Sequence, residues 1–298
     1  MAEPTRSVVG LGEVLWDLLP EGKQLGGAPA NFAYMSGLLG RRAIVASRIG
    51  VDALGEELRE RLASLELETS FLQHDEAHPT GAVKVIVDAG GQPEYEIEQN
   101  AAWDFLEWTP QWRQLAAQAD AICFGSLAQR SEASGETIRA FLDASRDDAI
   151  RIFDVNLRRD FFSASVLGAS FRLANVAKLN DLELPSVMHA LGFAFEDEKR
   201  AAERLRREFD LELVCVTRGS RGSLLVRENE ADEHAGFAVP VADSVGAGDA
   251  FTAALAHHLL RHSSLRRMNE AANRIGAWVA SQRGATPAAD ASLMREVR

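Results

Sequence analysis

The 298-residue sequence has few of the features that would cross-link a fold or carry it into a membrane. Its two cysteines, Cys123 and Cys215, lie in apolar runs, which predicts buried thiols rather than a disulfide framework or a zinc set. No apolar run reaches the roughly 18 residues of a membrane-spanning helix. The N-terminus also lacks an apolar stretch of signal-peptide length. These absences predict a protein of the reducing cytoplasm without a membrane partner.

Positive charge is also scarce. The chain has 32 Lys and Arg residues against 44 Asp and Glu residues, a formal net charge of -12. A nucleic-acid partner requires clustered basic residues along its phosphates, so this composition excludes one. A small anionic ligand needs only local positive potential. Backbone amides at a helix N-terminus, with one or two arginines, can supply it.

The sequence does contain a regular alternation of β-rich runs and amphipathic helical stretches. The predicted strands are residues 7–10, 43–48, 121–124, 151–155, 176–179, 213–217 and 223–226. The predicted helices are residues 52–65, 131–145, 196–209 and 250–260. Several strands are continuously apolar, as expected when both faces of a sheet are covered. The alternation therefore predicts an α/β fold with a mainly parallel sheet flanked by helices.

Two segments, residues 14–24 and 81–98, interrupt this alternation. Both have the pattern of short strands with turns, and Gly90-Gly91 lies between two alternating runs, which indicates a hairpin. We expect the two segments to form a small β-flap; edge strands of the main sheet are the alternative. No linker or repeat divides the chain, which predicts a single domain over residues 1–298.

The run DSVGAGD at residues 243–249 is the main candidate for chemistry. It joins a strand-like run, residues 237–241, to a helical pattern, and its glycines allow the backbone to approach a ligand closely. Amides at the start of a helix favour anions, and Asp249 could accept a proton from an attacking hydroxyl. An ordinary glycine-rich turn would have the same pattern. A dinucleotide fingerprint would need glycine where Phe251 stands, and the sequence has no Walker A loop.

The same run closely resembles the C-terminal signature DTxGAGD of the ribokinase-like (PfkB) carbohydrate kinases, with Ser244 in place of threonine. The run GGAPANFA at residues 26–33 is similar to the family's N-terminal signature, and RIGVDALG at residues 48–55 to its next block. The resemblance covers nearly the whole chain. It implies one ATP-dependent kinase domain with a ribokinase-like three-layer fold and a β-flap lid.

The resemblance assigns catalytic roles to a few residues. Asp249 would be the base, and the anion hole would consist of Gly246, Ala247 and Gly248. The run DVNLR at residues 154–158 resembles a fructokinase-type block. Its Arg158 would stabilise the transferred phosphoryl group or hold the acceptor; a surface arginine after a strand is the alternative.

The nucleotide side is also implied by the resemblance. The contacts would come from Asn180, Thr217, Gly219, Gly222 and Asn273. Glu183 would help to place Mg²⁺, acting through water. A plain hairpin turn would also account for the run TRGSRG at residues 217–222. The implied cofactors are ATP and Mg²⁺, and the family allows a monovalent cation such as K⁺ near Asp243.

The acceptor side is most similar to the fructokinase branch. Its sugar contacts would come from Asp17, Gly26, Gly27, Asn31 and Trp103. Asp17 could otherwise be a solvated acid at a strand end. Fructose is therefore the predicted acceptor. The alternative functions are those of a 2-keto-3-deoxygluconate kinase and of a ribokinase. A catalytically silent sugar- or nucleotide-binding protein would have no need of Asp249 and its glycines. The resemblance also makes a homodimer through exposed flap edges an expectation.

Overall fold

The computed structural model describes residues 6–19, 22–87 and 93–297. Within these ranges the strands are β1 (Ser7–Leu11), β2 (Leu15–Leu19), β3 (Gly22–Gly26), β4 (Arg42–Gly50), β5 (Leu72–Asp75), β6 (Gly81–Val87), β7 (Pro93–Ile97), β8 (Ala121–Phe124), β9 (Ile150–Asp154), β10 (Val176–Asn180), β11 (Leu213–Thr217), β12 (Ser223–Arg227) and β13 (Glu230–His234). The α-helices are α1 (Ala28–Leu38), α2 (Ala53–Ser64), α3 (Pro110–Gln118), α4 (Glu132–Asp143), α5 (Ala164–Leu173), α6 (Glu183–Ala190), α7 (Glu198–Glu208), α8 (Ala247–Leu259), α9 (Leu265–Ala280) and α10 (Ala291–Val297).

The larger sheet has the strand order β13-β12-β11-β10-β9-β8-β1-β4-β5. The strands from β11 to β5 run parallel, while β12 and β13 extend one edge as antiparallel strands. Successive residues of β1 point to opposite faces, so Val9 packs in one core cluster and Val8 in another. Helices α3 to α7 cover the first face, and α1 and α8 to α10 cover the second. The predicted three-layer α/β fold is confirmed.

The smaller sheet is separate and has the order β3-β2-β6-β7. Strand β2 pairs with β3 as an antiparallel neighbour and with β6 as a parallel one, which joins the two interrupting segments of the sequence. The strands β6 and β7 form the expected antiparallel pair. The Gly90-Gly91 turn predicted between them lies outside the described residues. These four strands are a flap rather than edge strands of the main sheet.

Residues 237–241 were expected to form a strand, and this prediction is wrong. The segment has no strand conformation and leads into the DSVGAGD turn as an irregular loop. Pro240 has no backbone N–H for a sheet ladder, and Val241 is 65% exposed, so the run buries no continuous apolar face. Helix α8 also begins at Ala247, earlier than its apolar pattern indicated.

Candidate active site

The candidate residues meet at one edge of the parallel sheet. Glu13 follows β1, while Asp154, Asn180 and Thr217 are the last residues of β9, β10 and β11. Since the carboxyl ends of parallel strands lie at the same edge, these side chains come together there. Helix α8 begins at this edge as well, because its Thr252 hydroxyl bonds to Asp154 at 2.8 Å.

The DSVGAGD turn is held in a shape that only glycine accommodates at residue 246. Gly246 has a left-handed φ of 77°, and a Cβ atom there would lie 2.5 Å from the Cβ of Ala285. The Asp243 carboxylate holds the turn in place. It accepts hydrogen bonds from the backbone N–H of Val245 at 3.0 Å and from that of Gly284 at 3.1 Å. The oxygens of Asp243, where a monovalent cation was expected, therefore already bond to backbone amides.

The expected anion hole lies where α8 begins, with Gly246 as the N-cap residue and Ala247 and Gly248 in the first turn. Amides in the first turn of a helix have no carbonyl partner four residues earlier, so those of Gly248 and Asp249 are available to an anion. The Ala247 amide is partly engaged, since it donates to the Ser244 carbonyl at 3.3 Å. The geometry of the turn thus suits an anionic ligand.

Asp249 is tied directly to the N-terminal signature. The Asn31 side-chain amide, in the first turn of α1, donates to Asp249 Oδ2 at 2.8 Å. The pKa of Asp249 is raised to about 6, first by burial and then by the charge of Asp154, while Lys178, Asn31 and Arg158 act to lower it. At neutral pH this carboxyl is mostly ionised yet still basic enough to take a proton, as a general base requires.

The start of α1 brings together the residues expected to bind the acceptor. Gly27 caps the helix with φ of 103°, and a Cβ atom there would lie 2.6 Å from the Glu13 carbonyl oxygen. A Cβ atom on Gly26 would meet the Asp17 carboxylate, so that side chain lies against the β3 backbone. Asp17 is partly buried rather than solvated, and burial raises its pKa to about 6 although Arg158 lowers it.

Glu13 lies in the candidate site, although no role was predicted for it from the sequence. Its side chain is buried, and Oε2 has no hydrogen-bond partner among the described residues. The pKa of Glu13 is raised to about 7, mainly by burial and also by Asp249, while Arg158 and the backbone amides of Glu13 and Ala28 act to lower it. A charged residue two positions after the end of a buried strand was the available signal.

Arg158 is the cation shared by these carboxyls. Its side chain is exposed, its guanidinium donates to the Leu157 carbonyl at 3.0 Å, and its charge lowers the pKa of Glu13, Asp17 and Asp249. Asn156, two residues before Arg158, and Arg159, the residue after it, have left-handed φ values of 45° and 46°. Such conformations cost energy and persist where the surrounding structure imposes them.

Asn180 and Glu183 join the ends of two strands. The buried Glu183 carboxylate accepts hydrogen bonds from the backbone N–H groups of Leu157 and Asn180, each at 2.8 Å. Asn180 Oδ1 in turn accepts the amides of Leu182 and Glu183 at the start of α6. Among the described residues, no group of three or more His, Cys, Asp or Glu side chains could hold a metal ion. A metal carried by the nucleotide phosphates, with Glu183 reached through water, fits this donor set.

The run at residues 217–222 forms the turn between the antiparallel strands β11 and β12. Gly219 and Gly222 have φ of 58° and 83°, and the Asp181 amide donates to the Thr217 carbonyl at 2.9 Å, which places the turn beside Asn180. The hairpin interpretation of this run therefore holds, and its contact with the nucleotide stays a prediction.

Two predicted contacts lie deeper than expected. The Asn273 side chain is buried and donates to Ser223 Oγ at 2.7 Å and to the Asn269 carbonyl at 2.8 Å. Trp103 is fully enclosed in the core, with the Arg130 guanidinium 4.0 Å from its ring. The structure thus does not open the Trp103 ring to an acceptor, whereas Asp17, Gly26, Gly27 and Asn31 gather at the start of α1.

Known proteins resemble this chain over most of its length. The profile of the pfkB family carbohydrate kinases matches residues 21–291. The fructokinase of Escherichia coli is 30% identical over 298 aligned residues, which cover 93% of this chain and 94% of the relative. The fructokinase of Salmonella typhimurium is also 30% identical, over 82% of this chain and 81% of its own.

Solved structures share the fold over nearly the whole length. Fructokinase from Xylella fastidiosa with bound ATP has a TM-score of 0.86 at 23% identity, covering 98% of this chain and 97% of that one. Fructokinase from Vibrio cholerae O395, in its fructose-, ADP- and calcium-bound form, has a TM-score of 0.79 at 24% identity, covering 98% of both chains.

Fold, site and relatives together define an ATP-dependent carbohydrate kinase. The chain belongs to the pfkB family. In the described ranges, no helix is long and apolar enough to cross a membrane.

Proposed function

We propose that this kinase phosphorylates fructose, with Asp249 as the general base. The observation that carries the proposal is the 2.8 Å hydrogen bond from Asn31 to Asp249. It unites the two signature segments, one expected to hold the sugar and the other expected to receive the phosphoryl group. Relatives named fructokinase at 30% identity, and a Vibrio cholerae structure with bound fructose, support this acceptor.

In the proposed reaction, the acceptor hydroxyl lies between Asp249 and the γ-phosphate. Its oxygen forms a bond to the γ-phosphorus, the bond from that phosphorus to the ADP oxygen breaks, and Asp249 takes the hydroxyl proton. The first-turn amides of α8 and the Arg158 guanidinium face the charge that develops on the phosphoryl oxygens. Such a base contributes about 10²–10⁴ in rate.

The remaining parts of the proposal concern binding and assembly. Mg²⁺ would enter with ATP and be placed by Asn180 and Glu183 through water, and the four-stranded flap would close over the sugar. The unpaired edges of β3 and β7 offer a surface for a homodimer. K⁺ binding near Asp243 and a cytoplasmic location stay predictions from the sequence.

A coupled ADP-release assay over fructose, ribose and 2-keto-3-deoxygluconate tests the acceptor. We expect fructose to give the highest kcat/KM; a better value with another sugar would assign that sugar instead. No ADP release with any of them would favour a silent binding protein.

The variant Asp249→Asn tests the base. Turnover should fall by about 10²-fold or more while ATP binding, measured by calorimetry, is kept. Asp143→Asn, an exposed position at the end of α4, is the matched control and should retain full turnover. Near-normal turnover in Asp249→Asn would contradict the mechanism.

A further inference from the structure

A buried ion pair lies directly beneath the first turn of α8. Lys178 and Asp154 are paired residues on the neighbouring strands β10 and β9. The Lys178 ammonium lies 3.0 Å and 3.1 Å from the two Asp154 carboxylate oxygens. The residues are only 7% and 3% exposed, so solvent screens this pair little.

The Lys178–Asp154 pair contacts helix α8 at two points. The Thr252 hydroxyl, one turn after the expected anion hole, donates to Asp154 Oδ2 at 2.8 Å. A Cβ atom placed on Gly248 would lie 3.1 Å from the Lys178 nitrogen, so the ammonium rests against the backbone of that turn. Glycine at residue 248 is what allows this approach. A full positive charge therefore stands behind the amides that would face the phosphoryl group.

Stability alone gives little reason for this arrangement. Replacing a buried ion pair by apolar residues of similar volume is often neutral or stabilising, because desolvation offsets the Coulomb attraction. Lys178 nevertheless keeps its charge: burial lowers its pKa, but Asp154, Glu183 and Asp249 together raise it above the ordinary value. The reason for a buried positive charge on Lys178 must therefore be sought in the groups around it.

Asp249 is surrounded by charged and titratable groups on several elements. Those groups are Glu13 after β1, Cys123 on β8, Asp154 on β9, Arg158 after β9 and Lys178 on β10, together with the amide of Asn31 on α1. Burial raises the pKa of the Cys123 thiol, so it is neutral at physiological pH. Of the two cations, Arg158 is exposed, and Lys178 is the buried one.

We propose that Lys178 is a positioning residue for phosphoryl transfer, whose ammonium, held by Asp154 beneath α8, keeps the Asp249 carboxylate ionised and supports the anion hole from behind. This inference rests on the proposed role of Asp249 as the base. Asp154 has the opposite effect on Asp249 and limits how far Lys178 lowers its basicity. The balance between the two leaves a carboxylate that is ionised but still able to take a proton.

The test compares charge-unbalanced variants with a charge-balanced one. The readout is the acidic limb of the pH profile of kcat/KM, which reports the ionisation of the base in the free enzyme. Lys178→Met leaves the negative charge of Asp154 unopposed and should shift this limb to higher pH by about one pH unit. Asp154→Asn leaves the positive charge of the Lys178 ammonium unopposed and should shift the limb to lower pH by about the same amount.

The double variant Asp154→Asn/Lys178→Met removes both charges and should return the limb to the wild-type position. It should still lower kcat by about tenfold, because the positive charge behind the anion hole is gone. Lys178→Arg keeps that charge and should leave the limb in place. A purely structural pair would not move the limb in opposite directions, so limbs that shift together, or not at all, would overturn the proposal.

Circular dichroism shows which variants fold. If both single variants are unfolded, the double variant and Lys178→Arg decide: wild-type kcat in the double variant would overturn the proposal. The Asp249→Asn result separates the two claims. Activity in Asp249→Asn refutes the base itself, whereas an inactive Asp249→Asn with unshifted limbs refutes only the role of Lys178.

Discussion

The buried carboxyl of Glu13 makes the stability of the protein depend on pH in a way that can be calculated. Its pKa is about 7 in the folded chain against an ordinary value of 4.5, because burial disfavours the ionised form. The folded state therefore binds this proton more tightly than the unfolded state. Below pH 4.5 the group is protonated in both states and carries no penalty. As the pH rises to 7 a penalty accumulates, and above 7 it stays constant.

The size of the penalty follows from the shift. Each pKa unit corresponds to about 1.4 kcal/mol, so a shift of this size costs about 3 kcal/mol of folding free energy above pH 7. At pH 5 most of that penalty is absent. Glu13→Gln removes the ionisation. The stability of the variant relative to wild type, measured as the difference in free energy of unfolding, should therefore be about 2 kcal/mol higher at pH 8 than at pH 5.

Urea denaturation of the ligand-free protein at the two pH values provides the measurement. Comparing pH values cancels any pH-independent effect of the amide on packing. Glu136→Gln, on the exposed side of α4, is the matched control and should show the same small difference at both pH values. If Glu13→Gln also shows equal differences at pH 5 and pH 8, the carboxyl does not titrate as its burial implies, and the reasoning is refuted.

Three further predictions concern turnover. Since burial raises the pKa of Asp249 to about 6 and the base acts when ionised, kcat/KM should fall about tenfold per pH unit below 6; a flat profile down to pH 5 would contradict this. Gly246→Ala should lower kcat at least tenfold, because its Cβ would collide with Ala285. Its control is Gly192→Ala, which shares a left-handed φ of 74° but has open space around it, and should keep kcat. Removal of divalent ions with EDTA should abolish ADP release and Mg²⁺ should restore it; turnover in EDTA would exclude the metal.

The sequence predicted the elements whose burial is local and continuous. The strands β8 and β11 were identified because every residue in them is apolar or nearly so. The 237–241 run is apolar as well but is not a strand, since Val241 is 65% exposed and Pro240 has no N–H to donate to a sheet. Patterns along the chain show that residues are apolar but not whether a second surface will cover them.

The candidate site divides in the same way. The residues around Asp249 could be predicted because they belong to contiguous motifs whose backbone shape binds anions. The pairing of Lys178 with Asp154 could not, because it depends on the register of two strands and on a helix that arrives from the far end of the chain. A lysine inside the apolar run VAKLN was the only local sign of it. The enclosure of Trp103 likewise follows from packing rather than from its motif.

The connection between the flap and α1 has a mechanical consequence. Strand β3 ends at Gly26, Gly27 caps the helix, and Asn31 lies one turn later with its amide on Asp249. No loop therefore separates strand β3 of the flap from the helix that carries Asn31. A displacement of the flap would therefore also move the turn that carries Asn31, and with it the hydrogen bond to Asp249. In the proposed mechanism, closure of the flap over the acceptor and alignment of Asp249 would be one movement rather than two.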